Sequence, residues 1–227
     1  GNGEPGRGLD SQSLWRTFGL FVVFTLAYSW GLWALLVFDF LPASATIPLI
    51  LLGGFGPFIG ALVTIRLNGL SISTWLRSNL RFRLQLRWYA VGIFLPPLLI
   101  ISSSLVYITV FDGSYAFGEL TAPWLFPLGL VLTFLVGGGN EELGWRGFAQ
   151  PALQEHLSAF STSLAVGLVW FVWHVPLFFV PGSSQAGVPM LPYSIGVLAT
   201  AVVLGWLYNA TGSLLIPWLY HASVNPA

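Results

Sequence analysis

The sequence contains no cysteine and very little charge. Without cysteine the chain cannot form disulfides, use a thiolate nucleophile or bind zinc through sulfur. Charged residues make up 7% of its 227 residues, against roughly 25% in ordinary soluble domains. The formal net charge is zero, and a chain without a basic excess gives no basis for binding nucleic acid. We therefore expect no nucleic-acid partner.

Apolar and aromatic residues take the place of the missing charge. Hydrophobic residues account for 56% of the chain, which has 11 Trp and 18 Phe. The apolar runs are continuous and do not alternate, which favours transmembrane helices over a membrane β-barrel. The 26 Gly and 15 Pro fit, because membrane helices tolerate both residues better than soluble helices do. We predict an all-α fold, a polytopic bundle of transmembrane helices in the lipid bilayer.

The apolar runs predict about seven membrane spans, or eight if a further helix follows the last one. A span needs about 20 mostly apolar residues. The predicted spans cover residues 14–38, 47–67, 88–110, 127–150, 162–180, 190–209 and 213–225. We divide the chain into a flexible N-terminal tail (1–13), a set of N-terminal spans (14–122) and a C-terminal core (123–227).

A basic amphipathic segment at about 68–87 predicts the orientation in the membrane. It carries Arg77, Arg81, Arg83 and Arg87 interleaved with leucine, phenylalanine and tryptophan, which is typical of a helix or strand lying in the membrane interface. Basic residues beside spans mark the cytoplasmic side. The N-terminus lies two crossings away and is therefore expected in the cytoplasm. We expect a prokaryotic plasma membrane.

Acidic and basic groups interrupt the apolar sequence between Gly137 and Gln150. An ionisable residue at membrane depth costs roughly 2.5–3.5 kcal/mol, so it is rarely present without a function or a partner. With 1.5 Å of rise per helical residue, Glu141, His174 and His221 fall roughly 12–15 Å from the cytoplasmic ends of three different predicted helices. This common depth predicts a single polar site inside the membrane.

The spacing of these residues assigns partners. Glu142 and Arg146 are four residues apart on one helical face and are expected to form an ion pair. Glu141 points about 100° away on a regular helix, free to meet His174. His221 and Asn225 are again four residues apart, so their polar groups face the same way.

Such a set has two chemical interpretations. A carboxylate beside a histidine can deprotonate a water molecule, while His221 and Asn225 can donate hydrogen bonds to a developing oxyanion. Alternatively Glu141, His174 and His221 can bind zinc, with Asn225 as a weak fourth ligand. The residues slightly favour the route without a metal, since Glu141 and His174 suffice for it and an amide is a poor zinc ligand.

Three motifs in the C-terminal core resemble those of the CPBP family, the CAAX-protease and bacteriocin-processing intramembrane proteases that are also called the Abi family. The resemblance covers about Pro123 to Asn225 and differs at Trp170, where the family motif has phenylalanine; we expect altered packing there and no loss of activity. The motifs are Glu141-Glu142-x-x-x-Arg146, His174 in Trp-Phe-Val-Trp-His-Val-Pro, and His221-x-x-x-Asn225.

The resemblance implies an intramembrane endopeptidase with a cavity open to the cytosol. It implies that Glu141 and His174 activate water and that His221 and Asn225 stabilise the oxyanion, with Glu142 and Arg146 in support. The family is described both as glutamate proteases and as metalloproteases, so no cofactor and a zinc ion both stay open. The implied substrates are CAAX-type tails and bacteriocin or leader-like peptides that enter from the cytoplasmic leaflet.

Two other functions use the same buried polar residues. Glutamate, histidine and arginine inside a membrane also form proton relays, so an ion- or proton-coupled transporter is an alternative. We find no inverted repeat with paired broken helices, which argues against it. The third interpretation is a membrane immunity or scaffold protein without catalysis.

Overall fold

The structure is a computed structural model that describes residues 11–114 and 122–225. The predicted flexible tail and the predicted outer loop at 112–123 lie largely outside these residues. Within them every regular element is helical and there is no strand, so the all-α prediction is confirmed. The helices are α1 (Ser11–Val37), α2 (Thr46–Gly53), α3 (Gly56–Leu67), α4 (Ile72–Asn79), α5 (Leu86–Val110), α6 (Phe126–Leu135), α7 (Glu142–Gly144), α8 (Gln150–Gln154), α9 (Ala159–His174), α10 (Met190–Thr211) and α11 (Leu215–Val224).

The described residues contain five helical runs that are long and apolar enough to cross a membrane. A sixth is added if α2 and α3, which meet at a bend of 42°, count as one span. The prediction of seven differs because the last predicted span is α11, which has ten residues. At 1.5 Å per residue α11 is about 15 Å long, half the thickness of a hydrocarbon core of about 30 Å.

The second predicted span packs against α1 through its glycines. A Cβ on Gly60 would lie 2.9 Å from the carbonyl oxygen of Phe21, and one on Gly56 would lie 3.0 Å from that of Thr25. The two helices therefore approach more closely than any larger residue allows. The bend between α2 and α3 was not predicted.

The fourth predicted span, expected as one helix over 127–150, is wrong in its continuity. Helix α6 ends at Leu135, and the chain resumes with a 3₁₀ turn at Gly139–Glu141. Gly138 between them has a φ of +121°, which only glycine adopts readily and no α-helix contains. A π-helical turn at Trp145–Ala149 then joins α7 to α8. The carboxylates of Glu141 and Glu142 thus lie just after a break in the helix.

The predicted interfacial segment is a short helix, α4, followed by extended chain. The four arginines of this segment are exposed. Trp75 donates a hydrogen bond from Nε1 to the carbonyl oxygen of Gly147 at 2.7 Å. Just beyond α4, the backbone N–H of Arg81 donates to Ser213 Oγ at 3.2 Å. The segment therefore contacts both the π-helical turn and the start of α11.

Aromatic side chains fill the space where α1, the π-helical turn and α9 meet. The ring of Trp145 packs edge to face on Phe21 at 5.6 Å and on Trp173 at 6.0 Å between centroids. Phe148 lies 5.2 Å from Phe21. These contacts place the segment that carries the two carboxylates against α9, which carries His174.

The close approach of α7 to α3 generates a stability prediction. A Cβ on Gly144 would collide with the backbone carbonyl group of Pro57, which cannot move as a flexible side chain can. We expect Gly144→Ala to lower the free energy of unfolding by about 1–3 kcal/mol, measured as a lower thermal midpoint in detergent. The control is Gly31→Ala, where a Cβ meets nothing within 4 Å. Equal midpoints for the two variants would contradict the packing described here.

Candidate active site

A cavity of about 560 Å³ brings the candidate site residues together. Its lining includes Glu141, His174, His221 and Asn225, which come from three separate parts of the chain. Tyr193 and Gln185 form part of another wall, where the Gln185 amide donates to the Tyr193 hydroxyl at 3.1 Å. The expectation that the acid and both histidines share one site agrees with this arrangement.

Glu141 is buried and held by tryptophan side chains. Its Oε2 accepts a hydrogen bond from Trp170 Nε1 at 2.8 Å and a longer one from Trp145 Nε1 at 3.4 Å. Both bonds that its carboxylate accepts from described residues go to Oε2, so Oε1 is the oxygen left for the cavity that Glu141 lines. The side chain is 6% exposed.

Glu142 and Arg146 form the predicted ion pair. Arg146 Nη1 lies 3.1 Å from both carboxylate oxygens, and neither side chain has any exposed surface. The guanidinium also donates to the carbonyl oxygen of Ala201 at 3.4 Å and lies 5.2 Å from the ring centre of Trp170. Because water does not reach either side chain, the charge of each is stabilised mainly by the charge of the other.

Glu142 has a second partner that the sequence did not reveal. His221 Nδ1 lies 2.7 Å from Glu142 Oε1. Because an ionised carboxylate only accepts, Nδ1 is the donor, and Nε2 is left for the cavity. Glu142 therefore links Arg146 to His221, whereas the helical spacing had assigned it to Arg146 alone.

His174 is oriented by its own helix and not by Glu141. Its Nδ1 lies 2.8 Å from the carbonyl oxygen of Trp170, which can only accept, so Nε2 is again the free nitrogen. Glu141 and His174 are both described by the structure, and they form no hydrogen bond or ion pair with each other. The expected direct contact is therefore corrected to a shared cavity, because the carboxylate is turned towards the indoles.

Gly138 lies at the centre of the polar groups. A Cβ at this position would be 3.0 Å from Asn225 Nδ2, 3.2 Å from His221 Nε2 and 3.6 Å from Glu141 Oε1. Asn225 also donates from Nδ2 to the carbonyl oxygen of Gly137 at 2.6 Å. The missing side chain leaves a space that faces an acid, an imidazole and an amide together.

The described residues do not form, in this arrangement, the zinc site that the sequence left open as an alternative. Among them no group of three or more His, Cys, Asp or Glu side chains converges closely enough to hold a metal ion. Glu141, His174 and His221 line one cavity but do not form a ligand set in this arrangement. No metal-assisted step can therefore be derived from it.

Sequence reasoning missed three contributors to the site: Trp145, Trp170 and Gly138. The sequence predicted only altered packing at Trp170, because an indole N–H that points at a carboxylate has no sequence signature. Gly138 carried a signal, since it is the middle one of three successive glycines, and such a run predicts a break in the helix.

One cavity thus brings together an acid, two imidazoles and an amide, which are groups that can activate water and stabilise an oxyanion. Residues 122–227 match the family described as Type II CAAX prenyl endopeptidase Rce1-like. This C-terminal part of the chain is therefore similar to the Rce1-like CAAX proteases, and the predicted resemblance to the CPBP family is confirmed.

A curated relative supports the same assignment. The chain is 32% identical over 122 residues to a protein named CAAX prenyl protease 2 from Methanococcus maripaludis. The match covers 51% of this chain and 43% of the relative, so the chain spans less than half of the length of the relative it matches. The apolar helices and the match to a family of membrane proteases together point to an integral membrane protein.

The buried ion pair generates a second stability prediction. Arg146→Met leaves the Glu142 carboxylate with only His221 as a charged partner at zero exposure. We expect a loss of about 3–5 kcal/mol in the free energy of unfolding, measured by denaturation in detergent micelles. Glu142→Gln together with Arg146→Met should recover part of this loss, since no unpaired charge is then buried.

The matched control is Arg77→Met in the exposed part of α4, which should change the free energy of unfolding by less than about 0.5 kcal/mol. If Arg146→Met proved as mild as Arg77→Met, the buried pair would not stabilise the fold.

Proposed function

We propose that the protein is an intramembrane endopeptidase that uses Glu141 and His174 to activate water. The observation that supports this most directly is the cavity, lined by Glu141, His174, His221 and Asn225. Glu141 Oε1 and His174 Nε2 are the atoms left over by the hydrogen bonds that hold these side chains. A water molecule between them would have two groups that can accept its proton.

The reaction follows from these roles. Glu141, assisted by His174, takes a proton from water while the hydroxide oxygen bonds to the carbonyl carbon of the peptide. The negative charge that develops on the carbonyl oxygen is held by hydrogen bonds from His221 and Asn225. When the C–N bond breaks, the proton on the Glu141–His174 pair passes to the leaving nitrogen. No atom is left unbalanced, and the enzyme returns to its starting state.

Glu142 and Arg146 act through His221 in this scheme. A hydrogen bond from Nε2 to an oxyanion requires a proton on that nitrogen as well as on Nδ1, and the resulting positive imidazolium needs a nearby negative charge. The Glu142 carboxylate at 2.7 Å provides it. Arg146 in turn is the ion-pair partner of this carboxylate, and a buried charge without a partner is strongly disfavoured.

The proposed substrate is a prenylated CAAX-type tail of a peptide or membrane-associated protein. The name of the matching family and that of the relative both point to it. The cavity also has apolar walls, which include Trp33, Ile50 and Leu177, and these suit an isoprenoid or other apolar chain. The exposed arginines near α4 support a cytoplasmic N-terminus and a substrate entrance on the same side. The membrane that we propose is a prokaryotic plasma membrane. An unprenylated leader-like peptide is the alternative substrate.

The catalytic assignment is tested with two matched pairs of variants. In proteoliposomes with an internally quenched, farnesylated CAAX-type peptide, Glu141→Gln and His174→Ala should each lower kcat roughly 10²- to 10⁴-fold, the usual contribution of a general base. Glu155→Gln and His156→Ala change exposed residues of the same types and should retain the parental rate. The same peptide without the farnesyl group tests the leader-like alternative.

Cleavage at the parental rate by Glu141→Gln would overturn the proposal. If instead the variant abolished a proton flux across proteoliposomes that contain no peptide, the transporter would be the better interpretation.

Metal dependence is decided by a separate measurement on the purified protein. We propose a reaction without a resident metal, so elemental analysis should find less than stoichiometric zinc. A chelator should then leave cleavage of the farnesylated peptide unchanged, and the chelated sample should keep its thermal midpoint. A stoichiometric metal whose removal abolishes cleavage would establish the zinc route, with Glu141, His174 and His221 as the ligands to test first.

A further inference from the structure

We infer that Trp170 is a positioning residue that holds both members of the proposed water-activating pair. The inference rests on the proposed function, since it assigns a partner to Glu141 and His174. It concerns the residue at which this chain departs from the phenylalanine of the family motif.

Trp170 contacts Glu141 through its side chain and His174 through its backbone. The indole Nε1 of Trp170 donates to Glu141 Oε2 at 2.8 Å. Its carbonyl oxygen accepts from His174 Nδ1 at 2.8 Å. The first bond directs Oε1 of the carboxylate to the cavity, and the second directs Nε2 of the imidazole there. Trp170 therefore sets the relative orientation of two side chains that do not touch each other.

The rings around Trp170 restrict its own orientation. Its ring centre lies 5.2 Å from that of His221 and 5.2 Å from the guanidinium carbon of Arg146. The residue is 4% exposed. An indole so enclosed cannot rotate away from Glu141 without displacing the neighbours that form the rest of the site.

Phenylalanine would preserve the carbonyl contact and most of the packing, but it has no donor for Glu141. The remaining donor, Trp145 Nε1, is 3.4 Å from the same oxygen, at the limit of a hydrogen bond. A buried carboxylate that loses a short hydrogen bond loses both stabilisation and a fixed orientation. In this chain the family's own residue should therefore be less active than tryptophan.

The decisive variant removes the N–H and keeps the shape. Replacing Trp170 with the benzothiophene analogue of tryptophan exchanges N–H for sulfur, and Trp170→Phe is the genetically encoded counterpart. On the farnesylated peptide both should lower kcat roughly 10- to 100-fold, as expected for loss of a hydrogen bond to a charged group. KM should stay within about twofold, because the bond acts on Glu141 and not on the substrate.

The matched control is Trp30→Phe in α1, outside the cavity lining. Trp30 Nε1 donates to the carbonyl oxygen of Trp173 at 3.1 Å, so this variant also loses an indole donor. It should keep kcat while its thermal midpoint falls. An equal loss of kcat in both variants would show that the loss of any indole hydrogen bond lowers activity equally, and the inference would be wrong.

A measurement independent of activity tests the contact itself. The protein is labelled with 5-fluorotryptophan, and the ¹⁹F resonance of Trp170 is assigned by its absence in Trp170→Phe. Glu141→Leu removes the acceptor and should shift this resonance, whereas Glu141→Gln retains an acceptor oxygen and should shift it less. A resonance that does not respond to Glu141→Leu would overturn the contact.

The two hypotheses fail in different ways. If Glu141→Gln still cleaves at the parental rate, the proposed function fails whatever Trp170 does. If Glu141→Gln is inactive but the benzothiophene protein keeps its kcat, Glu141 is catalytic and Trp170 does not position it.

Discussion

The buried ion pair of Arg146 and Glu142, with His221 hydrogen-bonded to Glu142, is the constraint on which the rest of the structure depends. Arg146 and Glu142 have no exposed surface, so neither can be solvated by water or by lipid headgroups. Their charges are stable only while α11 places His221 beside Glu142 and the helix with Ala201 supplies a carbonyl group to Arg146. The same buried charges therefore require both the packing of the C-terminal helices and the arrangement of the polar side chains.

Around this cluster, irregular backbone determines the directions in which the side chains point. The break before Glu141 and the π-helical turn after it allow successive acids to face different partners. Irregular backbone is tolerated at membrane depth only where it is buried in protein or lines a cavity, and here it does both. Helix α4 contacts the π-helical turn through the hydrogen bond from Trp75 to Gly147.

The sequence predicted the membrane class, the ion pair of Glu142 with Arg146, and the location of Glu141 and both histidines around one site. These rest on composition and on the regular rise of helices, which distant parts of the chain do not alter. The sequence did not predict the features that are determined by tertiary contacts. The partner of His221, the indoles on Glu141 and the correct length of α11 depend on which helices become neighbours. The break at Gly138 was overlooked because the apolar run that precedes it predicts a continuous span.

Gly138 also bears on how related chains should be compared. The space that its missing side chain leaves is bounded by Asn225, His221 and Glu141, so the pocket is defined by an absent group as much as by the polar ones. A homologue that keeps all four polar residues but has alanine in place of this glycine would have its pocket filled by the alanine methyl group. Surveys that sort active from inactive members by the acid, the histidines and the amide should therefore include this glycine.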